Sequence, residues 1–143
     1  MDIISAEWEG FKSFRHRTKV KFVRGVLTFV MGQNLDSPGL DSNASGKTSL
    51  LDFICWMLYD QIPVRVKKDD IINSDSKSVW GRLDLDGLTI ERTKERNKST
   101  VLRFRCAGDA DWTKDSFEIT QAKLEAVLGI SFACFINTVY FHP

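Results

Sequence analysis

Three cysteines, three prolines and two histidines are all that 143 residues supply of these types, and each scarcity closes off a class of protein. Cys55, Cys106 and Cys134 are odd in number, widely spaced and without a C-x-x-C pair. They predict small core residues of a reduced protein, not a disulfide framework or a zinc site. His16 and His142 have no Cys or acidic partner at ligand spacing, which argues against a histidine-based metal or catalytic centre. No apolar run approaches the roughly 20 residues that span a bilayer, so no membrane is expected. Met1-Asp2-Ile3-Ile4 lacks the basic region, apolar stretch and cleavage site of a secretory signal, and a cytoplasmic location is expected. A net charge of +1 gives no global pull toward nucleic acid, so any such contact must come from a local patch. Internal repeats and low-complexity segments are also missing. What remains, 43% apolar and 27% charged, suits one globular domain with a real core over residues 1–143.

Against that plain background one stretch stands out, Asp41-Ser42-Asn43-Ala44-Ser45-Gly46-Lys47-Thr48. An apolar run, Val26 to Met31, precedes it, and an amphipathic run, Ser49 to Leu58, follows. Strand, loop, Gly-Lys-Thr, helix is the order of a phosphate-cradling loop. Small residues let successive backbone N–H groups turn toward phosphate oxygens, and the helix N-terminus adds partial positive charge. In that arrangement Lys47 reaches the β- and γ-phosphates and the Thr48 hydroxyl ligates Mg²⁺. The pattern G-x-x-x-x-G-K-[ST] departs here in one place: Asp41 stands where its first glycine belongs. Gly39 and Gly32 are the nearby glycines that can take over its structural role.

The rest of the chain predicts an α/β fold. Ile3 to Trp8 reads as a strand ending at Gly10, Phe11 to Arg15 as an aromatic-basic turn, and Thr18 to Phe22 as a half-buried strand. Val26 to Met31 is apolar enough for a strand covered on both faces, and Leu35 to Ser42 reads as an extra loop beside the nucleotide site. A helix is expected from about Gly46 to Tyr59, with Leu50, Leu51, Ile54 and Leu58 on one face. Strands follow at Ser78 to Leu85, Leu88 to Thr93 and Thr100 to Cys106. Asp86-Gly87 marks a hairpin, and Arg96 to Ser99 the next turn. Alternation of Leu83 and Leu85 with Arg82 and Asp84 predicts an antiparallel sheet with one wet face. Glu118 to Leu128 reads as a helix with Thr120 as N-cap and Gly129 as exit. Ser131 is placed to cap a short helix, and Asn137 to Phe141 looks strand-like.

Taken together, three blocks of sequence resemble the N-terminal half of an SbcC-type ATPase head. They are Trp8-Glu9-Gly10-Phe11-Lys12-Ser13-Phe14, Phe29 to Asn34, and Asn43 to Ile54. That family is the DNA double-strand-break repair branch of the SMC/RecF/RecN group. Asp70-Ile71-Ile72-Asn73 with the following hairpins is similar to its N-terminal lobe, and Phe135 to Phe141 to the approach to its Q-loop. The resemblance implies an ABC-ATPase-like N-terminal lobe with a mixed sheet, a P-loop helix and an antiparallel β-hairpin region. It implies ATP and Mg²⁺ as ligands, with Gly32, Asn34, Asn43, Ala44, Ser45, Gly46, Lys47, Thr48 and Ser49 around the nucleotide. Thr48 would be the Mg²⁺ ligand, and Lys12 matches a basic residue that relatives carry near the nucleotide. A long Gly32-to-Asn43 detour is similar to an expanded phosphate loop in some bacteriophage relatives, which accounts for Asp41.

The same resemblance implies partners: a C-terminal half of the head, a second head as homodimer, an Mre-type or SbcD-like nuclease, and DNA. The setting would be the cytoplasm of a bacterial or phage-infected cell. His142-Pro143 stand where the family has its Q-loop glutamine, and the signature motif and Walker B carboxylates belong to regions beyond this sequence. The nearest Walker B candidate, Leu88-Thr89-Ile90-Glu91, is polar in the middle and sits on a hairpin strand. Hydrolysis is therefore expected only from a completed head. Two other readings stay open: a self-contained small P-loop kinase or NTPase, and a truncated non-catalytic interaction module. Arg92, Lys94, Arg96, Lys98, Arg103 and Arg105 read either as a solvated hairpin face or as phosphate contacts for nucleic acid. Trp8 and Trp56 read as core and Trp112 as a half-exposed loop residue.

Overall fold

The computed structural model describes residues 2–25, 47–64 and 66–138, leaving aside the side chains of Lys47 and Thr48. In chain order the elements are β1 (Ile3–Glu9), β2 (Thr18–Lys21), α1 (Lys47–Tyr59), a 3₁₀ turn (Lys68–Ile71), β3 (Ser78–Leu85), β4 (Leu88–Glu95), β5 (Val101–Cys106), α2 (Phe117–Leu128) and α3 (Phe132–Thr138). The five strands form one sheet in the order β2-β1-β3-β4-β5, and every described pairing is antiparallel. The strand expected at Val26–Met31 lies outside the described residues, as does the loop expected from Leu35 to Ser42.

Strict alternation builds the sheet. Val79, Gly81, Leu83 and Leu85 of β3 face inward while Trp80, Arg82 and Asp84 stay half-buried on the other face. Leu85 pairs with Leu88 across the Asp86-Gly87 turn, where Gly87 takes φ 79, a backbone that glycine adopts without a Cβ penalty. The expected hairpin is therefore present. At the next turn Asn97 has φ 59, and β4 runs to Glu95, two residues past the expected end at Thr93.

On the inner face lies α1. Its residues from Asp52 to Leu58 are buried almost without interruption, because neighbours cover it on several sides. Phe53 and Trp56 pack against Trp8 and Phe11, with ring centroids 5.2 Å (Trp8–Phe53), 5.4 Å (Phe11–Phe53) and 5.6 Å (Phe11–Trp56) apart. Tyr59 meets Phe132 and Phe135 of α3. Leu51, expected on the apolar face, is 42% exposed and points away from this packing. Where α1 crosses β3, Gly81 leaves no room for a side chain: a Cβ there would sit 2.6 Å from both Met57 Sδ and Phe53 Cε2.

Two helix expectations change. Thr120 is not the N-cap of α2; Ser116 holds that position, and Thr120 is buried one turn inside. Its hydroxyl accepts the Asp115 N–H and donates to Ser116 O, each at 2.9 Å, which ties the helix entry together from within. Gly129 ends α2 at φ 70, as expected. Asn137 and Thr138 belong to α3 rather than to a strand. Ser131 Oγ accepts the Cys134 N–H at 3.2 Å, so a capped helix start overrides the strand propensity that follows. The remainder of that expected strand, residues 139–141, lies outside the described residues. Among the described residues no single helix is long and apolar enough to cross a membrane.

Candidate nucleotide site

Lys47 is the first residue of α1, so Lys47, Thr48 and Ser49 occupy its first turn, where backbone N–H groups lack helical partners. Of the other expected site residues, Gly32, Asn34, Asn43, Ala44, Ser45 and Gly46 lie outside the described residues. Lys12 is described, and the fold brings it to α1.

Three backbone features hold Lys12 there. Its φ is 47, left-handed, which lets the Gly10–Phe14 turn fold back on itself. Its N–H donates to Ile71 O at 2.7 Å, and its carbonyl accepts Asn73 Nδ2 at 2.6 Å. Asn73 N–H in turn donates to Gly10 O at 2.7 Å. The Asp70-Ile71-Ile72-Asn73 segment is thus the mould for the aromatic-basic turn. Phe11, beside Lys12, is fully buried against Phe53 and Trp56, so the turn is fixed to α1 as well. The Lys12 ammonium then reaches Asp52 Oδ2 at 2.5 Å. Asp52 is 3% exposed and lies four residues, about one turn, beyond Thr48.

An open cleft of about 440 Å³ continues from Lys12 along Asp69, Asp70, Ile72, Ser74 and Arg96. Arg96 is held by backbone oxygens, with Nη2 2.9 Å from Asn73 O and Nε 3.1 Å from Ser76 O. Asp69 accepts Lys94 Nζ at 2.9 Å and the Asn97 N–H at 3.1 Å, and the Lys94 hydrogen bond first of all holds its carboxyl below the ordinary range.

The basic strand residues divide by parity. Leu88 and Ile90 face the core, and Arg92 and Lys94 share their register, so both are buried, at 0% and 5% exposure. Neither is a solvated hairpin face nor a phosphate contact. Arg92 Nη2 donates to Met57 O at 2.9 Å and to Gln121 Oε1 at 2.6 Å. Arg103 and Arg105 do lie on the outer face, with their guanidinium carbons 4.3 and 5.0 Å from the Trp112 ring centre. Glu91 also faces outward, away from α1, and is held by Arg103 and Arg82, so it does not act as a Walker B carboxylate for this site. Among the described residues no group of three His, Cys, Asp or Glu is placed to hold a metal ion.

Sequence reasoning missed Asp52, Asn73 as the mould for Lys12, and Arg92 as a core residue. Asp52 carries a readable signal: it is the one charge within the apolar run from Leu50 to Leu58.

A lysine-bearing turn pinned beneath a helix that opens on Lys-Thr, over an antiparallel sheet, is the fold of an ABC-ATPase-like N-terminal lobe. The chain belongs to the AAA domain family, which matches residues 7–134. Among solved structures it is similar to the recombination mediator protein RecF with ATP, of the RecFOR pathway. The TM-score is 0.56 and the identity 19%, over 82% of this chain and 29% of that one. It is also similar to the RecF structure with ATPrS, at TM-score 0.54 and 17% identity over the same shares. The chain therefore spans under a third of the length of these structures. Comparison with curated proteins gave no match.

Proposed function

We propose that this chain is the ATP- and Mg²⁺-binding N-terminal lobe of an SbcC-like head, acting in DNA double-strand-break repair or recombination by regulating a nuclease. The observation that carries the reading is Lys12, which the fold fixes beside α1 on Asp52, four residues beyond Thr48 in sequence. A basic side chain there fits a polyanionic ligand, as does the first turn of a helix that begins Lys-Thr. Lys47 would hold the β- and γ-phosphates, and Thr48 the Mg²⁺ ion, which when bound neutralises phosphate charge. Asn43, Ala44, Ser45, Gly46 and Ser49 would wrap the phosphates, with Gly32 and Asn34 opening the loop.

Nothing among the described residues polarises an attacking water: Glu91 is turned away from α1 and already ion-paired. Hydrolysis would then require a C-terminal half of the head and a second head closing over the γ-phosphate. Such closure, in the cytoplasm, would be what the nuclease partner reads, with DNA as the shared substrate.

Turnover assays on the isolated chain test this. The expected result is ATP binding with no sustained hydrolysis. Robust multiple turnover by the monomer would overturn the half-head reading and favour a self-contained NTPase.

A further inference from the structure

We propose that Arg92 is a positioning residue for the nucleotide site, which it serves by fixing the far end of α1. This rests on the nucleotide-binding reading above. A helix of 13 residues is about 20 Å long, and its last carbonyls need partners and favour nearby positive charge. No basic residue lies in the last turn of α1 itself. The sheet supplies one instead. Arg92, fully buried on β4, donates to Met57 O from Nη2 at 2.9 Å and from Nε at 3.3 Å. Gln121 of α2 completes the clamp, with Nε2 2.9 Å from Leu58 O and Oε1 2.6 Å from Arg92 Nη2. Asp60, at φ 57 just past the helix, places Oδ1 3.7 Å from Arg92 Nη1.

Burial pulls the Arg92 pKa down to about 10, against the Asp60 and Glu125 carboxylates, so the guanidinium remains charged at neutral pH. A buried charge is costly, and a well-packed apolar residue of similar volume often serves stability as well. What the fork adds is geometry: two donors on one carbonyl and a third contact to α2 fix both the axial position and the rotation of α1. Because α1 is a rod gripped by Phe11 and Gly81 along its length, a shift at Met57 is carried to Lys47 and Thr48. Misplacing phosphate ligands by a fraction of an ångström weakens binding disproportionately.

The test compares Arg92→Met, Arg92→Lys and Gln121→Leu in the full chain, reading three quantities. These are urea midpoint, hydrogen exchange of α1 amides without nucleotide, and ATP-Mg²⁺ affinity by calorimetry. Arg92→Met and Gln121→Leu are expected to speed exchange across residues 51–59 while sparing β3 and β4. Each should also weaken ATP binding about tenfold in the folded protein. Arg92→Lys, with charge but no fork, should recover part of the affinity. Folded Arg92→Met or Gln121→Leu with wild-type affinity would overturn the proposal, whatever its urea midpoint. Should Arg92→Met fail to fold, Gln121→Leu alone decides it. Absence of ATP binding by the wild type would overturn the nucleotide reading and the positioning role with it, and the exchange data would then report the clamp as purely structural.

Discussion

The Lys12 ammonium lies 2.5 Å from the Asp52 carboxylate, joining the β1–β2 turn to the helix that follows the Gly-Lys-Thr sequence. Asp52 is 3% exposed and Lys12 25%, so the pair is largely shielded from water and from salt. Lys12→Met removes the cation and with it one charged contact of the buried carboxylate. Denaturant unfolding should show a loss of about 2 kcal/mol. Calorimetry should show weaker ATP binding as well, because a positive charge beside the proposed phosphate site is gone. Wild-type stability and affinity in the variant would show that the contact matters to neither.

Gly81 should tolerate no side chain. A Cβ would press on Met57 Sδ and Phe53 Cε2 at 2.6 Å and on Phe53 Cζ at 2.8 Å, all within the core between β3 and α1. Gly81→Ala is expected to destabilise by about 1–3 kcal/mol in urea, as overpacking does. An unchanged midpoint would mean that α1 does not approach β3 this closely.

Alkaline pH should weaken the fold from about pH 9 upward. Burial, and then the Asp52 carboxylate, push the Cys55 thiol from its ordinary 9.0 up to about 12. Burial also raises Tyr59 from 10.0 to about 12. Between these values the unfolded chain gives up protons that the folded chain keeps, so unfolding is favoured as pH rises and the loss saturates near pH 12. The Cys55 contribution alone approaches about 1 kcal/mol per pH unit in that window. Urea midpoints at pH 8, 9 and 10 would check the slope, and Cys55→Ser should flatten it. In the same samples a thiol reagent at pH 8 should modify exposed Cys134 readily and buried Cys55 only on unfolding.

Legibility in the sequence followed how local the determining physics is. The hairpin at Asp86-Gly87 and the alternation of β3 are written in neighbouring residues, and both appear where expected. Arg92 and Lys94 were open to misreading because charge suggests solvent. The correct signal was the two-residue register carried forward from Leu88 and Ile90, which puts both inside. What licenses the burial of Arg92 is non-local, Met57 O and Gln121, whereas Lys94 combines the distant Asp69 with the neighbouring Glu95 O. The same holds for the nucleotide site. Gly46-Lys47-Thr48 is visible as a motif, whereas the placement of Lys12 depends on Ile71 and Asn73, some 60 residues away in sequence. Leu51 fails a helical-wheel reading because α1 is covered from several directions and its exposed strip is narrow.

If α1 opens on a phosphate site, Lys47→Ala will show it in ATP-Mg²⁺ calorimetry. The wild-type chain should bind ATP with a clear dependence on Mg²⁺, and Lys47→Ala should abolish binding while circular dichroism and urea midpoint stay at wild-type values. Equal ATP affinity in wild type and Lys47→Ala, or no binding by well-folded wild type, would contradict it.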